Sequence, residues 1–427
     1  MGNMKLTFEE QEILGGSRGE AMANAMKSVV VFGEAFGAKS LVELTGAPHA
    51  VTSFGIGFIK PYFRMLDELV SAGLHTFKPF TVDPRPMDFV NVPVSLVQKA
   101  LFLFTFSKQQ QYERQLRHLG LRDPDAFSCA CYLPEVGNTP RRGDLLAWSE
   151  SSAVVFANSV LGARSNRNSA GIDMLCSITG RAPLFGLLTD EGREASWQVE
   201  VKTSKLPNAQ LLGSAIGLKV VEDVPYVVGL DAFLGSGLNN IVRDYLKDMG
   251  AAMASNGAVG LYHAEGLTPE ARDMGRTLLR HGYRTLVIDD AHLERVMAGY
   301  PEMWRNKKAH PKRCFIGCPH LSLSQLERWT HEIPAALAAS GRSRTAVDTV
   351  LCAPPQVVER FFSDGGNRAA LLRAGIRVTS LCPLMYMSNP LCSREPVLTN
   401  SNKLRTFSTA RFLRDEDVLK VVAGGGR

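Results

Sequence analysis

The chain has 427 residues, of which 45% are hydrophobic, and a formal net charge of +6. It is long enough to bury a large core and to form two or three lobes. Its apolar windows at residues 28–36 and 94–106 are too short or too interrupted to supply the roughly 20 apolar residues that span a bilayer. The N-terminal segment carries charged residues where a signal peptide needs an apolar core. These features exclude a membrane protein and predict a cytoplasmic one.

Basic residues are scattered along the chain except for a cluster at Arg305–Arg313. Nucleic-acid binding would require a longer basic stripe interleaved with aromatic residues. We therefore expect the cluster to be a solvated loop and expect no nucleic-acid partner. A net positive charge remains compatible with a small anionic substrate.

The first predicted strand, Ser40–Thr45, leads into a loop at Gly46–Gly57 and then into a helix at Phe58–Ala72. Thr52 and Ser53 lie in this loop, where small residues allow a ligand to approach backbone amides. A plain tight turn at Gly55 and Gly57 is the alternative interpretation of this loop.

A second strand is predicted at His75–Val82, and Asp83 follows it at the start of a proline-punctuated loop. Apolar spacing beyond that loop predicts one long amphipathic helix at Val94–Leu119. Asp83 therefore stands at the end of a strand, where a polar side chain can face a ligand.

The stretch Phe127–Arg167 concentrates polar residues among Ala, Val and Ser. A loop with two cysteines precedes Glu150, and a predicted buried helix carries Asn158 and Ser159 before it ends near Gly162. Small residues let helices pack closely while polar groups face a pocket. A satisfied polar network in an ordinary core is the alternative.

From about residue 257 the pattern becomes a regular alternation of strands and helices, which divides the chain into an N-terminal part at 1–256 and a C-terminal α/β lobe at 257–427. Strands with roughly 30-residue spacing predict a parallel sheet. They are predicted at residues 257–263, 284–289, 313–317, 347–352 and 376–381. Ligands gather at the carboxyl ends of such strands, and Cys318 and Cys382 stand at two of these ends.

Eight cysteines lie far apart in a chain without an export signal, so free thiols in a reducing compartment are expected. Cys129, Cys318 and Cys382 lie in loops. Three thiolates on separate loops can hold an iron–sulfur cluster whose open iron acts as a Lewis acid toward a substrate hydroxyl and carboxylate. A zinc site formed by Cys314, Cys318 and His320 and simple burial of the cysteines are the alternatives.

Three separated motifs resemble the large, catalytic subunit of the aconitase X family, a branch of the aconitase superfamily. They are SCACYLPEVGNTPRRGD with the following AWSESSAVVFANSVLGARSNR, then IGCPHLSLSQL, and finally LTNSNK. The resemblance runs from about Leu6 to Ala410. It implies an aconitase-like α/β fold, with parallel sheets flanked by helices in more than one lobe and a cluster at the cleft between lobes.

The resemblance implies that Cys129, Cys318 and Cys382 are the ligands of an iron–sulfur cluster of the 4Fe–4S or 2Fe–2S type. Cys129 and Cys318 take the cysteine places of the family's Thr-Cys-x-Pro-Tyr and Gly-Cys-Pro-His motifs. Cys382 is the strand-end cysteine ahead of the Thr-Asn-Ser motif. Cys131 and Cys314 are expected to be spectators.

The same resemblance implies substrate contacts from five residues: Thr52, Ser53, Asp83, Asn158 and Ser159. Asp83 replaces an asparagine of the family's Thr-Thr-Leu-Asn-Pro loop. A carboxylate at this position would repel a phosphate group, and it would attract an amine.

Two further residues are expected to act in catalysis. Lys403 matches the lysine of the family's Thr-Asn-Ser-x-Lys motif, where its ammonium can pair with a substrate carboxylate. Glu150 can hold a substrate amine or a cluster-bound water. A surface position for Lys403 is the alternative reading.

The family resemblance implies a hydro-lyase. We expect dehydration of cis-3-hydroxy-L-proline to Δ1-pyrroline-2-carboxylate, with (R)-5-phosphomevalonate dehydration as the alternative. A non-catalytic iron–sulfur or metal-binding scaffold is the alternative of another class. In the superfamily, the base is a serine on a small swivelling domain. The sequence ends soon after the last motif, so we expect a separate small subunit to supply that domain.

Overall fold

The computed structural model describes residues 4–51 and 60–424, so the predicted substrate residues Thr52 and Ser53 lie outside the described residues. The α-helices are α1 (Phe8–Leu14), α2 (Glu20–Ala35), α3 (Lys60–Ser71), α4 (Leu96–Thr105), α5 (Gln109–Leu119), α6 (Ser151–Phe156), α7 (Ala170–Thr179), α8 (Ala209–Val220), α9 (Asp231–Leu234), α10 (Asn240–Asn256), α11 (Pro269–Met274), α12 (Asp290–Ala298), α13 (Leu323–Ala339), α14 (Pro355–Phe362), α15 (Gly365–Ala374), α16 (Pro383–Ser388), α17 (Asn402–Thr406) and α18 (Asp415–Val422). The strands are β1 (Leu41–Glu43), β2 (His49–Ala50), β3 (Thr81–Val82), β4 (Arg181–Pro183), β5 (Ala195–Val201), β6 (Pro225–Val228), β7 (His263–Ala264), β8 (Leu279–Ile288), β9 (Arg313–Ile316), β10 (Asp348–Cys352), β11 (Ile376–Thr379), β12 (Val397–Thr399) and β13 (Arg411–Phe412).

The N-terminal region is mainly helical and carries short strand pairs. β1 pairs antiparallel with β4, and β2 pairs parallel with β3. α1 begins with a capping box between Thr7 and Glu10, which satisfies free backbone N–H groups at the helix start. α2, α3, α5 and α7 enclose one hydrophobic core in this region.

A four-stranded parallel sheet with the order β7-β6-β5-β8 forms the middle of the molecule. It uses strands from residues 195 to 288, so the predicted division at 256/257 falls inside this sheet. The expectation that the strands near 257–263 and 284–289 join the later strands in one sheet is wrong.

The C-terminal region holds a second parallel sheet with the order β11-β10-β9-β12-β13. The helices α13, α14 and α15 connect its first strands along the chain. Cys318, Cys382 and Ser401 follow the carboxyl ends of β9, β11 and β12. Two predicted cysteine loops therefore lie at the same edge of this sheet, where ligands of parallel sheets gather.

Two predicted helices differ from the structure. The helix expected at Val94–Leu119 is divided into α4 and α5, because the backbone leaves the helical conformation at Phe106. α6 continues into a π-helical turn, Ala157–Leu161, which ends at Gly162 with a positive φ of 69°. A π turn shifts side chains relative to a regular helix, and such turns are frequent at functional sites.

No helix in residues 4–51 or 60–424 is long and apolar enough to cross a membrane.

The helices α8 and α10 pack closely because α8 carries glycine at the contact. A Cβ atom on Gly213 would overlap the carbonyl oxygen of Met249 and lie 2.8 Å from Cβ of Ala252. We predict that Gly213→Ala lowers the free energy of unfolding by about 1–3 kcal/mol, because the backbones must move apart.

The matched control is Gly171→Ala in α7, where an added Cβ meets no atom within 4 Å. This change should leave stability unchanged or raise it by up to about 1 kcal/mol. Urea denaturation of both variants tests the prediction. Equal effects of the two substitutions would contradict it.

Candidate active site

Three cysteines from separate loops converge on one region of the molecule. Cys129 follows a segment that hydrogen-bonds to β3 through Val82, Cys318 follows β9, and Cys382 precedes α16. Burial is the largest cause that raises the pKa of each of the three thiols, and together with neighbouring groups it brings the pKa of Cys382 to about 12. Cys382 packs against the hydrophobic cluster that contains Cys318, and the backbone N–H of His320 donates to Sγ of Cys129, so the three loops belong to one site.

His320 connects the three cysteine loops by hydrogen bonds. Its backbone N–H donates to Sγ of Cys129 at 3.4 Å. Its ring lies 3.3 Å from Oγ of Ser128 through Nδ1 and 3.1 Å from the carbonyl oxygen of Leu381 through Nε2. A carbonyl oxygen only accepts, so Nε2 carries the proton and Nδ1 accepts from Ser128. Burial lowers the pKa of His320 to about 4, so this ring is neutral at neutral pH.

These contacts contradict the zinc alternative. No group of three or more His, Cys, Asp or Glu side chains could hold a single metal ion in the part of the chain that the structure describes. Both ring nitrogens of His320 are engaged in hydrogen bonds. Cys314 packs in a different hydrophobic cluster from Cys318. The predicted zinc site at Cys314, Cys318 and His320 is therefore wrong.

The predicted catalytic residues Glu150 and Lys403 form a buried ion pair. Glu150 caps the N-terminus of α6, and its Oε2 accepts hydrogen bonds at 2.6 Å from Oγ of Ser152 and from the backbone N–H of Ala153. Burial opposes ionisation, but Lys403 and these two donors lower the pKa of Glu150 to about 2. Glu150 is therefore a carboxylate at neutral pH. Lys403 is not a surface lysine, since its side chain is only 11% exposed.

Asp83 lies at the end of β3, beside a histidine that was not among the predicted site residues. Nε2 of His49 lies 3.7 Å from Oδ1 of Asp83, and neither atom has a hydrogen-bond partner among the described residues. Nδ1 of His49 lies 2.9 Å from Oγ1 of Thr81, which orients the ring. Burial lowers the pKa of His49, but Cys131 and Asp83 outweigh it and raise that pKa to about 10. Burial raises the pKa of Asp83 and Glu150 raises it further, while His49 and Lys403 lower it. Oδ1 of Asp83 therefore lies at ion-pair distance from His49 but accepts no hydrogen bond from the described residues, so it can accept one from a ligand.

Arg167 is a second residue that the sequence interpretation did not assign to the site. Its Nη1 is buried without a hydrogen-bond partner among the described residues. Burial lowers the pKa of its guanidinium, and Glu150 works in the opposite direction, which places Arg167 within electrostatic reach of the site. Its position at the end of the polar stretch was the only sequence signal.

Asn158 and Ser159 hold backbone groups of neighbouring segments. Nδ2 of Asn158 donates to the carbonyl oxygens of Ser165 and Gly260, and its Oδ1 accepts from the backbone N–H of Ser165. Oγ of Ser159 accepts from the backbone N–H of Tyr262. Both residues thus support the backbone around the site. The amide of Asn158 is engaged by these contacts, and the predicted substrate contact of Ser159 stays a prediction.

The sequence matches two family models in succession. A model described as "Aconitase X first domain" matches residues 3–191, and one described as "Aconitase X second domain" matches residues 194–298.

Curated relatives cover most of the chain. The "Phosphomevalonate dehydratase large subunit" of Thermococcus kodakarensis is 30% identical over 378 residues, which cover 84% of this chain and 86% of that protein. The "Cis-3-hydroxy-L-proline dehydratase" of Pseudomonas aeruginosa is 30% identical over 416 residues, which cover 95% of this chain and 66% of that protein.

A solved structure titled "Crystal structure of Thermococcus kodakaraensis aconitase X (holo-form)" superposes with a TM-score of 0.79 at 27% identity. The match covers 98% of this chain and 99% of that chain. The expected α/β fold of parallel sheets flanked by helices is confirmed.

The buried ion pair generates a prediction on stability. Lys403→Met leaves the carboxylate of Glu150 buried and unpaired, so it should lower the free energy of unfolding by about 3–5 kcal/mol. The double variant Lys403→Met/Glu150→Gln removes both charges and should recover much of this loss. Urea denaturation of wild type, both single variants and the double variant gives the coupling energy. Additive effects would contradict a coupled pair.

The same pair predicts a pH dependence. The folded-state pKa of Glu150, about 2, lies below its ordinary value of 4.5. Its stabilising contribution is therefore complete above pH 4.5 and is lost as the pH falls toward 2. The stability of the wild type relative to the double variant should therefore fall over this window. Thermal unfolding at pH 6, 4 and 3 measures it, and a constant difference would contradict the assignment.

Proposed function

The chain belongs to the aconitase X family of hydro-lyases, and from that premise we propose that it dehydrates cis-3-hydroxy-L-proline to Δ1-pyrroline-2-carboxylate. The observation that carries this choice is the buried Oδ1 of Asp83, which lies at ion-pair distance from His49 but accepts no hydrogen bond from the described residues. A buried carboxylate oxygen without a hydrogen-bond donor favours a ligand that brings a positively charged N–H group. The secondary ammonium of a hydroxyproline is such a donor.

The donor set fits an iron–sulfur cluster at Cys129, Cys318 and Cys382. A backbone N–H directed at Sγ of Cys129 stabilises a thiolate, as do hydrogen bonds to the sulfurs of known clusters. The positive charge of Lys403 lowers the pKa of the Cys129 and Cys318 thiols against the effect of burial. When bound, the cluster would supply an open iron position as a Lewis acid for the substrate hydroxyl.

The chain's own charged groups can bind and orient the substrate. Asp83 would accept the ring ammonium. The unpartnered Nη1 of Arg167 and a remaining N–H of Lys403 would donate to the single carboxylate. Glu150 holds Lys403 in place through their ion pair. This arrangement fixes the orientation of the Cα–H bond and the neighbouring C3–O bond.

The proposed reaction is a β-elimination without redox change. A base removes the Cα proton, the C–H electron pair forms the Cα–C3 double bond, and the C3–O bond breaks. The leaving hydroxide takes up one proton and becomes water, so the net loss is the Cα proton and the C3 hydroxyl. The enamine then tautomerises to the cyclic imine. A serine on a small partner is our proposed base.

The names of relatives support the existence of that partner. Several relatives are called a dehydratase "large subunit", and the matched hydroxyproline dehydratase of Pseudomonas aeruginosa is longer than the region it shares with this chain. We propose that a small subunit closes over the three cysteine loops. The unpaired cysteines support a reducing, cytoplasmic location.

Dehydration of (R)-5-phosphomevalonate is the second candidate. It is favoured by the relative from Thermococcus kodakarensis, of which the chain covers 86%. The buried carboxylate of Asp83 opposes it, since a carboxylate repels a phosphate.

The substitution Asp83→Asn distinguishes the two substrates. We predict that it lowers kcat/KM for cis-3-hydroxy-L-proline by about 10- to 100-fold, because an ionic hydrogen bond of about 1.5–3 kcal/mol is lost. Turnover of (R)-5-phosphomevalonate should rise, since the repulsion is removed. The assay uses anaerobically reconstituted enzyme with and without its small subunit and measures pyrroline-2-carboxylate.

Asp125→Asn, at a side chain that is 67% exposed, is the matched control and should leave both activities unchanged. Wild-type turnover of phosphomevalonate alone would overturn the substrate assignment. Iron binding without turnover of either substrate would support a non-catalytic scaffold.

A further inference from the structure

Lys247 is a buried charged residue that the proposed reaction does not use. It lies in the middle of α10 and is 1% exposed. Its Nζ donates to Oε1 of Gln325 at 2.6 Å and to the carbonyl oxygen of His320 at 3.0 Å. Oδ1 of Asp248 lies 3.4 Å away. Burying an ammonium group costs several kcal/mol unless such partners offset the cost, so a specific arrangement of acceptors is required at this position.

Lys247 contacts the cysteine loops through one hydrogen bond, which it donates to the backbone carbonyl of His320. The other polar groups of His320 face Ser128, Cys129 and Leu381. Lys247 therefore fixes the peptide that links the three loops, and it does so from the side of α10.

The second acceptor of Lys247 strengthens this attachment. Gln325 belongs to the capping box that starts α13, immediately after the Cys318 loop. Its Nε2 donates to Oδ2 of Asp248 at 2.8 Å. The ammonium thus joins α10, the Cys318 loop and the start of α13, and all three attachments are buried or half-buried.

We propose that Lys247 is a positioning residue that, through the carbonyl of His320, holds the three cysteine loops in their cluster-binding arrangement before any cluster is bound. This inference rests on the proposed cluster role of Cys129, Cys318 and Cys382. It extends that role, because outer-shell groups that orient ligands affect cofactor affinity.

The test measures thiol reactivity in the metal-free, reduced chain. Rates of alkylation by iodoacetamide are followed for each cysteine by peptide mass spectrometry. Lys247→Met should raise the rates at Cys129, Cys318 and Cys382 by roughly tenfold, because the loops open locally more often. Cys176, which packs in a different hydrophobic cluster, is the internal control, and its rate should not change.

Two further variants separate positioning from general stability. Lys247→Arg keeps a buried cation that donates to the same carbonyl, so it should restore most of the protection. Gln325→Leu removes the other acceptor but leaves the bond from Lys247 to His320, so it should raise the three rates less than Lys247→Met does. If Lys247→Met does not fold, Lys247→Gln replaces it, and its shorter side chain should give the same selective increase.

Unchanged rates at the three cysteines in Lys247→Met would overturn the proposal. An equal rise at Cys176 would also overturn it, since that result indicates general loosening. Iron content after anaerobic reconstitution is measured separately on the same variants. Absence of iron from the wild type would refute the cluster, while the thiol rates would still decide whether Lys247 positions the loops.

Discussion

The hydrogen bonds of His320 are the constraint on which the site depends. Cys129 and Cys318 are 189 residues apart in the sequence, and Cys382 follows 64 residues later, so no local motif brings them together. One neutral, buried imidazole and its backbone N–H contact all three loops. Because the low pKa of this ring keeps it neutral, the ring can donate through one nitrogen and accept through the other. A charged imidazolium would lose the acceptor that Ser128 requires.

The charges around these loops are arranged in a region of low dielectric. The ion pair of Glu150 and Lys403 links the start of α6 with α17, and therefore joins the N-terminal region to the C-terminal sheet. A buried pair of this kind adds little net stability compared with apolar residues, but removing one partner is costly. The pair instead holds the ammonium group of Lys403 near the thiols of Cys129 and Cys318. Asp83 and His49 place a second, separate pair at the end of β3.

Much of the fold and part of the site could be predicted from the sequence. The capping box of Thr7 and Glu10 follows from residues three positions apart in the sequence, because capping is a local interaction. The strand ends that carry Cys318 and Cys382 were also predicted, since a short apolar run followed by a Gly or Pro loop is a local pattern.

The remaining features depend on contacts between distant residues. The pairing of strands could not be predicted, because the spacing of strands along the sequence does not show which strands are neighbours. β8 pairs with β5 through contacts between distant residues. Asn158 was expected to bind substrate, but Gly260, about 100 residues away, takes one of its N–H groups. His49 and Arg167 were not assigned roles, because only the folded chain shows that a buried nitrogen of each lacks a hydrogen bond to any described residue.

The most direct measurement is anomalous diffraction at the iron edge from crystals of the anaerobically reconstituted protein. We predict iron density bounded by the Sγ atoms of Cys129, Cys318 and Cys382, within reach of Lys403. Iron bound at another position, or an ordered structure in which these three sulfurs contact no iron, would contradict the account.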